Sequence, residues 1–308
     1  MFKTNASIIF MLRWVFSRVV VIYFIIFVFA LSCVDLKTFK MRIKVRRLNQ
    51  AVPNFADMIN FSEGKAEKVD WAPYRRYFQL ILSYIPSDII ARELLGYVDF
   101  YSAQENQAID LFKSSTTING QLLLWSNYNL GVLYYKKGMW PQAEGYLLKA
   151  ISSNSQLDLL MMRNAIVYKQ ILVNSAFTYD LQDTINEAKG GAYILLLSSL
   201  YHEGAYDRMV QVADFGLKNQ HLFPRVDFYY YAGLGYYEKG RLHEAFLFFQ
   251  KSLEFNKDNP DVYFYIADIC RSAGRPEQAR DFLKVSYLLH QKNDPRFPYE
   301  RGVSLRFF

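Results

Sequence analysis

Internal repetition is the feature of this sequence that most restricts its fold. Between Arg225 and Leu289, eight positions of one segment recur in the next segment at a constant offset of 34 residues. A period of this length is typical of helix-turn-helix units, each of which buries its apolar face against the next unit. The chain is therefore predicted to be a stack of helix pairs. The recurring pairs are Tyr229 and Tyr263, Ala232 and Ile266, Gly233 and Ala267, Tyr236 and Cys270, Gly240 and Gly274, Ala245 and Ala279, Phe249 and Leu283, and Ser252 and Ser286.

The order of residue types within this period resembles the tetratricopeptide repeat. A large residue at Tyr229 is followed by a small one at Gly233, a turn glycine at Gly240, an alanine at Ala245 and an aromatic residue at Phe249. This resemblance implies an all-α fold, a TPR-type α-solenoid in which antiparallel helix pairs form a right-handed superhelix. It also implies a protein-interaction array whose first helices line a concave groove.

The resemblance extends over residues 55–291, and the separate units match it to different degrees. The repeat register is lost at residues 158–189, where apolar residues still recur as two helices require, and we interpret this stretch as an atypical helical pair. Residues 292–308 form a C-terminal tail whose prolines and glycine are not expected to continue a helix. The segments that keep the pattern are Phe55–Asp88, Ile89–Leu122, Leu124–Leu157, the unit that begins at Gly190, and the two units of Arg225–Leu289.

Glycines are predicted to end the first helix of several pairs. A helix commonly ends with a residue in the left-handed conformation, which glycine adopts without strain. The four glycines at this place in the pattern are Gly138, Gly204, Gly240 and Gly274.

The positive charge of the chain belongs to its N-terminus. The formal net charge is +7, but residues 1–50 carry nine Lys and Arg against one Asp, and the remainder carries 27 Lys and Arg against 28 Asp and Glu. Because the predicted array is close to neutral, the charge gives no reason to expect nucleic acid as a partner. The two cysteines, Cys33 and Cys270, provide no disulfide framework.

An apolar segment predicts that residues 1–34 anchor the chain to a membrane. Val19–Val34 contains no charged residue, although its sixteen residues are fewer than the ~20 that span a bilayer comfortably. Ala30–Cys33 resembles a degenerate lipobox, which would make Cys33 the lipidation site of an exported lipoprotein. The dense basic residues at 37–47 instead favour a signal anchor with the array in the cytoplasm. A buried helix of a soluble protein is the remaining alternative, and the side of the membrane stays open.

The stretch at residues 35–54 is interpreted as a basic juxtamembrane linker. Apolar and basic residues alternate from Phe39 to Arg46, a period that suits an extended strand or a segment lying on anionic lipid. A solvated linker whose charges only set the membrane topology explains the same residues.

The first helices of the array are predicted to present an aromatic, sparsely charged groove to a protein or peptide partner. Tyrosines and tryptophans provide contact area at low entropic cost, which is why they are frequent in binding sites. The alternative is that many of these side chains fill the interior of the superhelix. The predicted groove residues are Tyr97, Tyr101, Trp125, Tyr128, Tyr135, Tyr201, Tyr230, Tyr237, Phe264 and Arg271.

No pattern of catalytic or metal-binding residues stands out in the sequence. The four histidines are scattered, and none forms the i, i+4 pair with an acid that a helical metal site requires. Cys270 lies where the repeat needs a core residue and is expected to be a buried thiol. We therefore expect neither an enzyme nor a cofactor.

Two functions of different classes follow from these observations. The first is a non-catalytic, membrane-tethered scaffold or adaptor that holds a partner protein through the aromatic groove; assembly of a secretion or envelope machine differs from it only in the partner. The second is an exported lipoprotein that binds a small apolar ligand as a transport accessory. Lipidation of Cys33 and a co-purifying ligand would favour the second function.

Overall fold

The computed structural model describes residues 40, 43–62, 68–164 and 181–292. The chain divides into two compact units, residues 1–53 and 54–308. In the first unit, residues 43–50 are helical, so the strand interpretation of the alternating basic segment is wrong for these residues. Lysine, arginine and leucine are good helix formers, and here that preference outweighs the alternation.

The predicted membrane anchor at residues 1–34, including Cys33, lies outside the described residues. Among the residues that are described, no helix combines the length and apolar character needed to cross a membrane. The tail from residue 293 onward also lies outside them.

The second unit is a succession of helices with one short hairpin. The helices are α1 (Phe55–Ser62), α2 (Ala72–Tyr84), α3 (Ile89–Tyr101), α4 (Glu105–Lys113), α5 (Leu124–Lys136), α6 (Trp140–Ile151), α7 (Ser155–Asn164), α8 (Leu181–His202), α9 (Tyr206–Lys218), α10 (Phe228–Glu238), α11 (Leu242–Phe255), α12 (Pro260–Ser272) and α13 (Pro276–Lys292). A short 3-10 helix, Gln220–Leu222, lies between α9 and α10. The prediction of an all-α solenoid is confirmed in its main features.

A two-stranded antiparallel hairpin lies between α4 and α5, which the all-α prediction omitted. Strands β1 (Thr117–Ile118) and β2 (Gln121–Leu122) pair with Thr117 opposite Leu122. The two turn residues, Asn119 and Gly120, have φ angles of 50° and 77°. Asn-Gly is a preferred sequence for such a tight turn, because both residues tolerate positive φ.

Successive helices pack as pairs, and the turn inside a pair repeats. Helices α3 and α4, α5 and α6, α8 and α9, α10 and α11, and α12 and α13 contact each other along the chain. Gly138, Gly204, Gly240 and Gly274 follow the first helix of their pairs with φ between 69° and 70°. The prediction that these glycines end the helices in the left-handed conformation is confirmed.

Small residues let the two helices of a pair approach closely. A Cβ atom placed on Gly131 would lie 2.5 Å from Cδ2 of Leu147, and one on Gly233 would lie 2.7 Å from Cδ1 of Phe249. In both pairs the facing side chain is sixteen residues further along the chain. The glycines are thus needed to accommodate a large residue on the second helix.

The atypical region differs from the sequence interpretation in where its helices end. Helix α8 continues through Gly190 and Gly191 without a break, so the predicted boundary at residue 189 does not exist. Helix α8 packs against both α5 and α6. A Cβ on Gly191 would lie 3.1 Å from the hydroxyl of Tyr128, so glycine serves close packing here.

Buried carboxylates hold the beginnings of two first helices. Asp158 accepts hydrogen bonds from the backbone N–H of Leu124 (3.1 Å) and the hydroxyl of Ser153 (3.0 Å). Asp227 accepts from the backbone N–H of Tyr230 (3.0 Å) and, in α11, from the hydroxyl of Ser252 (2.6 Å). Burial raises the pKa of both carboxyl groups, while these donors lower it.

Candidate protein-binding surface

The first helices of successive pairs are joined by side-chain contacts, and we call the side that bears these contacts the first-helix surface. Between α8 and α10, the hydroxyl of Tyr201 donates to Glu238 at 3.1 Å. Between α10 and α12, the hydroxyl of Tyr237 donates to Asp268 at 2.6 Å. The same relation between tyrosine and carboxylate therefore recurs at two neighbouring junctions.

These hydrogen bonds persist at neutral pH because the tyrosines stay protonated. Burial raises the pKa of Tyr237 to about 12, and the hydrogen bond to Asp268 adds to this shift. Burial also raises the pKa of Tyr201, and the neighbouring Tyr265 and Glu238 contribute to it. Each tyrosine can thus donate to its carboxylate and order the junction between first helices.

The N-terminal part of this surface is covered by the chain itself. The ring of Trp71 lies 5.6 Å from that of Tyr101, nearly parallel to it, and 5.9 Å from the ring of Tyr97. Phe61 contacts Tyr101 edge-on at 4.9 Å. Tyr97 is fully buried and Tyr101 is partly buried. The expected open groove is therefore absent at these two residues, because aromatic residues from α1 and the start of α2 pack over them.

Several central residues of the predicted groove also belong to the interior. Trp125, Tyr128, Tyr135 and Tyr230 are all buried. Tyr135 packs edge-on against Trp140 at 5.0 Å between ring centres. At these four positions the structure matches the alternative of interior packing, because long helix α8 and the neighbouring aromatic rings occupy the space in front of them.

The C-terminal part of the surface remains accessible. The side chain of Phe264 is 50% exposed and that of Arg271 is 73% exposed, while Tyr201 and Tyr237 are partly exposed. Arg271 forms an ion pair with Asp268, the acceptor of the Tyr237 hydroxyl. We call Tyr201, Tyr237, Phe264 and Arg271 the C-terminal patch. It combines aromatic area with one cation on an ordered framework.

Sequence reasoning missed a cavity of about 350 Å³ next to the buried part of the first-helix surface. It lies between α5, α8 and the segment that leads into α10, and we call it the interhelix cavity. Its lining combines irregular elements, so no repeat position marked it in the sequence. The lining residues are Tyr128, Asp183, Asn186, Glu187, Gly190, Gly191, Ile194, His221, Leu222, Phe223, Pro224, Arg225 and Val226.

The polar chemistry of the described residues is structural. Within the described ranges, no group of three or more His, Cys, Asp or Glu residues is arranged to hold a metal ion. Cys270 is buried in α12, which confirms its predicted place in the core. Its neighbours in the pair include the repeat alanines Ala267 and Ala279, which are also buried.

Comparisons with known proteins support the repeat. A family model described as tetratricopeptide repeat matches residues 248–281. No curated protein matches the chain significantly. Among solved structures, a crystal structure of MamA is 16% identical with a TM-score of 0.46, over 66% of this chain and 98% of that one. MamA from Desulfovibrio magneticus RS-1 is 12% identical with a TM-score of 0.47, over 68% and 98%.

A third similar structure is that of YrrB, titled a TPR protein with an unusual peptide-binding site. It is 16% identical with a TM-score of 0.38, over 73% of this chain and 88% of that one. The matched segment at residues 248–281 spans parts of α11, α12 and α13, the same region in which the 34-residue repetition is clearest. The helix pairs and their left-handed turn glycines recur from α5 to α13. The chain is therefore a tetratricopeptide repeat protein.

Proposed function

We propose that this protein is a non-catalytic scaffold or adaptor that binds a partner protein or peptide through the C-terminal patch. The observation that carries the proposal is the exposure of Phe264 and Arg271 beside a fixed ladder of tyrosines and carboxylates. Aromatic residues and arginine are the types that most often dominate binding energy at protein interfaces. Because the ladder is already hydrogen-bonded, little ordering is needed when a partner docks.

The charges of the patch suit a partner with apolar and polar groups rather than a strongly charged one. Glu238 and Asp268 are each engaged by a tyrosine hydroxyl, and Asp268 is also paired with Arg271. A partner that placed an apolar side chain on Phe264 and an acceptor near Arg271 would satisfy the exposed groups.

We further propose that residues 1–34 tether this array to a membrane. The support is the uncharged segment Val19–Val34 and the basic residues that follow it. Full-length protein should remain with membranes after alkaline extraction, whereas the fragment 54–308 should be released. Release of the full-length protein would contradict the tether. The mass of the mature N-terminus separates the two forms of anchoring, because lipidation adds acyl chains at Cys33.

A matched pair of variants tests the patch. Phe215 lies on α9, a second helix, and is 57% exposed, close to the exposure of Phe264. Phe264→Ala and Tyr237→Ala should each lose the proteins that co-purify with the full-length chain from its native membranes. Phe215→Ala should retain them. Loss of the same proteins from all three variants, or from none of them, would refute binding through the patch.

A second function, binding of a small apolar ligand by an exported lipoprotein, is favoured by the interhelix cavity. Its volume of about 350 Å³ lies in the range of ~300–1,000 Å³ common to small-ligand pockets. A diacylated or triacylated Cys33 together with a small molecule in the purified protein would favour this function. An intact Met1 with unmodified Cys33 would argue against it.

A further inference from the structure

The interhelix cavity is built from parts of the chain that interrupt the regular repeat. One wall is the N-terminal part of α8, which extends beyond the length of the other first helices, and the opposite wall is His221–Val226. Tyr128 of α5 and Ile194 of α8 contribute apolar surface between them. The cavity is thus distinct from the C-terminal patch, and its binding chemistry is a separate question.

The wall formed by the loop is held in place by hydrogen bonds. The side-chain amide of Gln220 donates to the backbone carbonyls of Phe223 and Val226, both at 3.0 Å. Phe223 and Val226 are themselves buried, which anchors the loop from the other side. A Cβ placed on Gly190 would lie 3.2 Å from Cγ2 of Val226. The close approach of α8 and the loop therefore depends on glycine, and the shape of the cavity is largely preformed.

The charged groups of the lining are divided between the two walls. Asp183 and Glu187 stand one helical turn apart on α8, and Asn186 lies between them in sequence. Arg225 on the loop forms an ion pair with Glu187, and its side chain is 81% exposed. An exposed ion pair of this kind contributes at most ~1 kcal/mol, so a cation on a ligand can replace the arginine. Two carboxylates against one guanidinium leave the lining with an excess of negative charge.

We infer that the interhelix cavity binds a molecule with a compact apolar body, best an aromatic ring, and a cationic amine head. The body would contact Tyr128, Ile194 and Phe223, and the amine would lie at Asp183 and Glu187. The volume of about 350 Å³ accommodates a single ring with a short chain. A free aromatic amine and an aromatic residue at the amino end of a peptide share this chemistry.

Three probes with the same ring separate the contribution of the head group. Tyramine carries an amine, 4-ethylphenol is neutral and 3-(4-hydroxyphenyl)propanoate carries a carboxylate. Titration calorimetry of the full-length protein in detergent should show at least ~10-fold tighter binding of tyramine than of 4-ethylphenol, the factor that corresponds to about 1.4 kcal/mol. The carboxylate should bind more weakly than the neutral probe. Equal affinities for all three, or no binding, would overturn the inference.

Variants of the lining locate the site. Asp183→Asn combined with Glu187→Gln should remove the preference for tyramine and leave the affinity for 4-ethylphenol within twofold. Ile194→Trp should fill the cavity and abolish binding of both probes. Because Ile194→Trp could also disturb packing, the exposed double variant decides the outcome if the tryptophan variant fails to fold. Glu254→Gln, on the exposed side of α11, is the charge control and should change nothing.

The source of the natural ligand is resolved by one further comparison. The peptide Tyr-Gly-Gly-Gly, free or acetylated at its amino end, is titrated beside tyramine. Tighter binding of the free peptide assigns the cavity to a peptide terminus, and tighter binding of tyramine assigns it to a free amine. Binding of the acetylated peptide as tight as that of the free one would contradict the role of the amine. Phe264→Ala should not affect any of these affinities, so the inference can fail without refuting the C-terminal patch.

Discussion

A buried carboxylic acid between two first helices should make the stability of this array depend on pH. Glu93 of α3 is buried, and its carboxylate accepts a hydrogen bond of 2.5 Å from the hydroxyl of Ser126 in α5. Burial raises the pKa of Glu93 from 4.5 to about 8, with the hydrogen bond from Ser126 opposing the shift and the charge of Asp158 adding to it. We predict that Glu93→Gln stabilises the protein at alkaline pH.

The sign of the effect follows from the direction of the pKa shift. Because the pKa of Glu93 is higher in the folded state, folding favours the protonated acid, and the native state is most stable relative to the unfolded state below about pH 4.5. Stability is then lost as the pH rises through the folded pKa of about 8. With 1.36 kcal/mol per pKa unit, the loss is about 1 kcal/mol at pH 5 and about 5 kcal/mol at pH 9. Glutamine does not ionise, so the variant should gain about 4 kcal/mol relative to the wild type between these two pH values.

Urea unfolding of residues 54–308, followed by tryptophan fluorescence, measures this difference. Trp125 is adjacent to Ser126 and reports on the region around Glu93. The control is Glu254→Gln, whose side chain is exposed and whose unfolding midpoint should follow that of the wild type at every pH. A constant difference between wild type and Glu93→Gln from pH 5 to pH 9 would refute the argument that this acid is neutral in the native state.

Three further predictions concern packing and turns. Ala103 has φ of 60° where the other pairs have glycine, so Ala103→Gly should stabilise the protein by about 0.5–1 kcal/mol in thermal unfolding; a lower melting temperature would contradict this. Gly233→Ala should cost about 1–3 kcal/mol, because its Cβ would lie 2.7 Å from Phe249; an unchanged urea midpoint would show that the crossing relaxes freely. Phe249→Ala should cost about 3–5 kcal/mol, but Leu283→Ala, one period later and 42% exposed, less than about 1 kcal/mol; equal losses would mean that Leu283 is also covered.

The repeat was predictable because local chemistry determines it. The offset between the units at 225–289 placed the helix pairs, and Gly240 and Gly274 adopt the left-handed turn that the pattern requires. The hairpin between α4 and α5 was also predictable in principle, since Asn119-Gly120 is a strong turn sequence. It was missed because its strands are only two residues long.

The open or closed state of the first-helix surface was not predictable from repeat positions. Tyr97 and Tyr128 occupy the same face in the pattern as Phe264, yet the first two are buried and the third is half-exposed. The difference arises from residues far away in sequence, such as Trp71 over Tyr97. Exposure is a property of tertiary packing, which a repeat pattern does not encode.

The glycine pair of α8 shows how one residue type can have two explanations. Gly190 and Gly191 are consistent with the end of a helix in the sequence, but in the structure they permit close contact with Val226 and Tyr128. Continuation of α8 through them creates one wall of the interhelix cavity. The sequence alone carried no indication of which explanation applied.

Site-specific photocrosslinking tests the central claim, that a partner protein docks on the C-terminal patch, most directly. A benzophenone amino acid is introduced at Phe264 or at Phe215 of the full-length chain, two positions of similar exposure on a first and a second helix. After irradiation in native membranes, we predict a discrete protein adduct at position 264 and none at position 215. No adduct at 264, or the same adducts at both positions, would contradict the account.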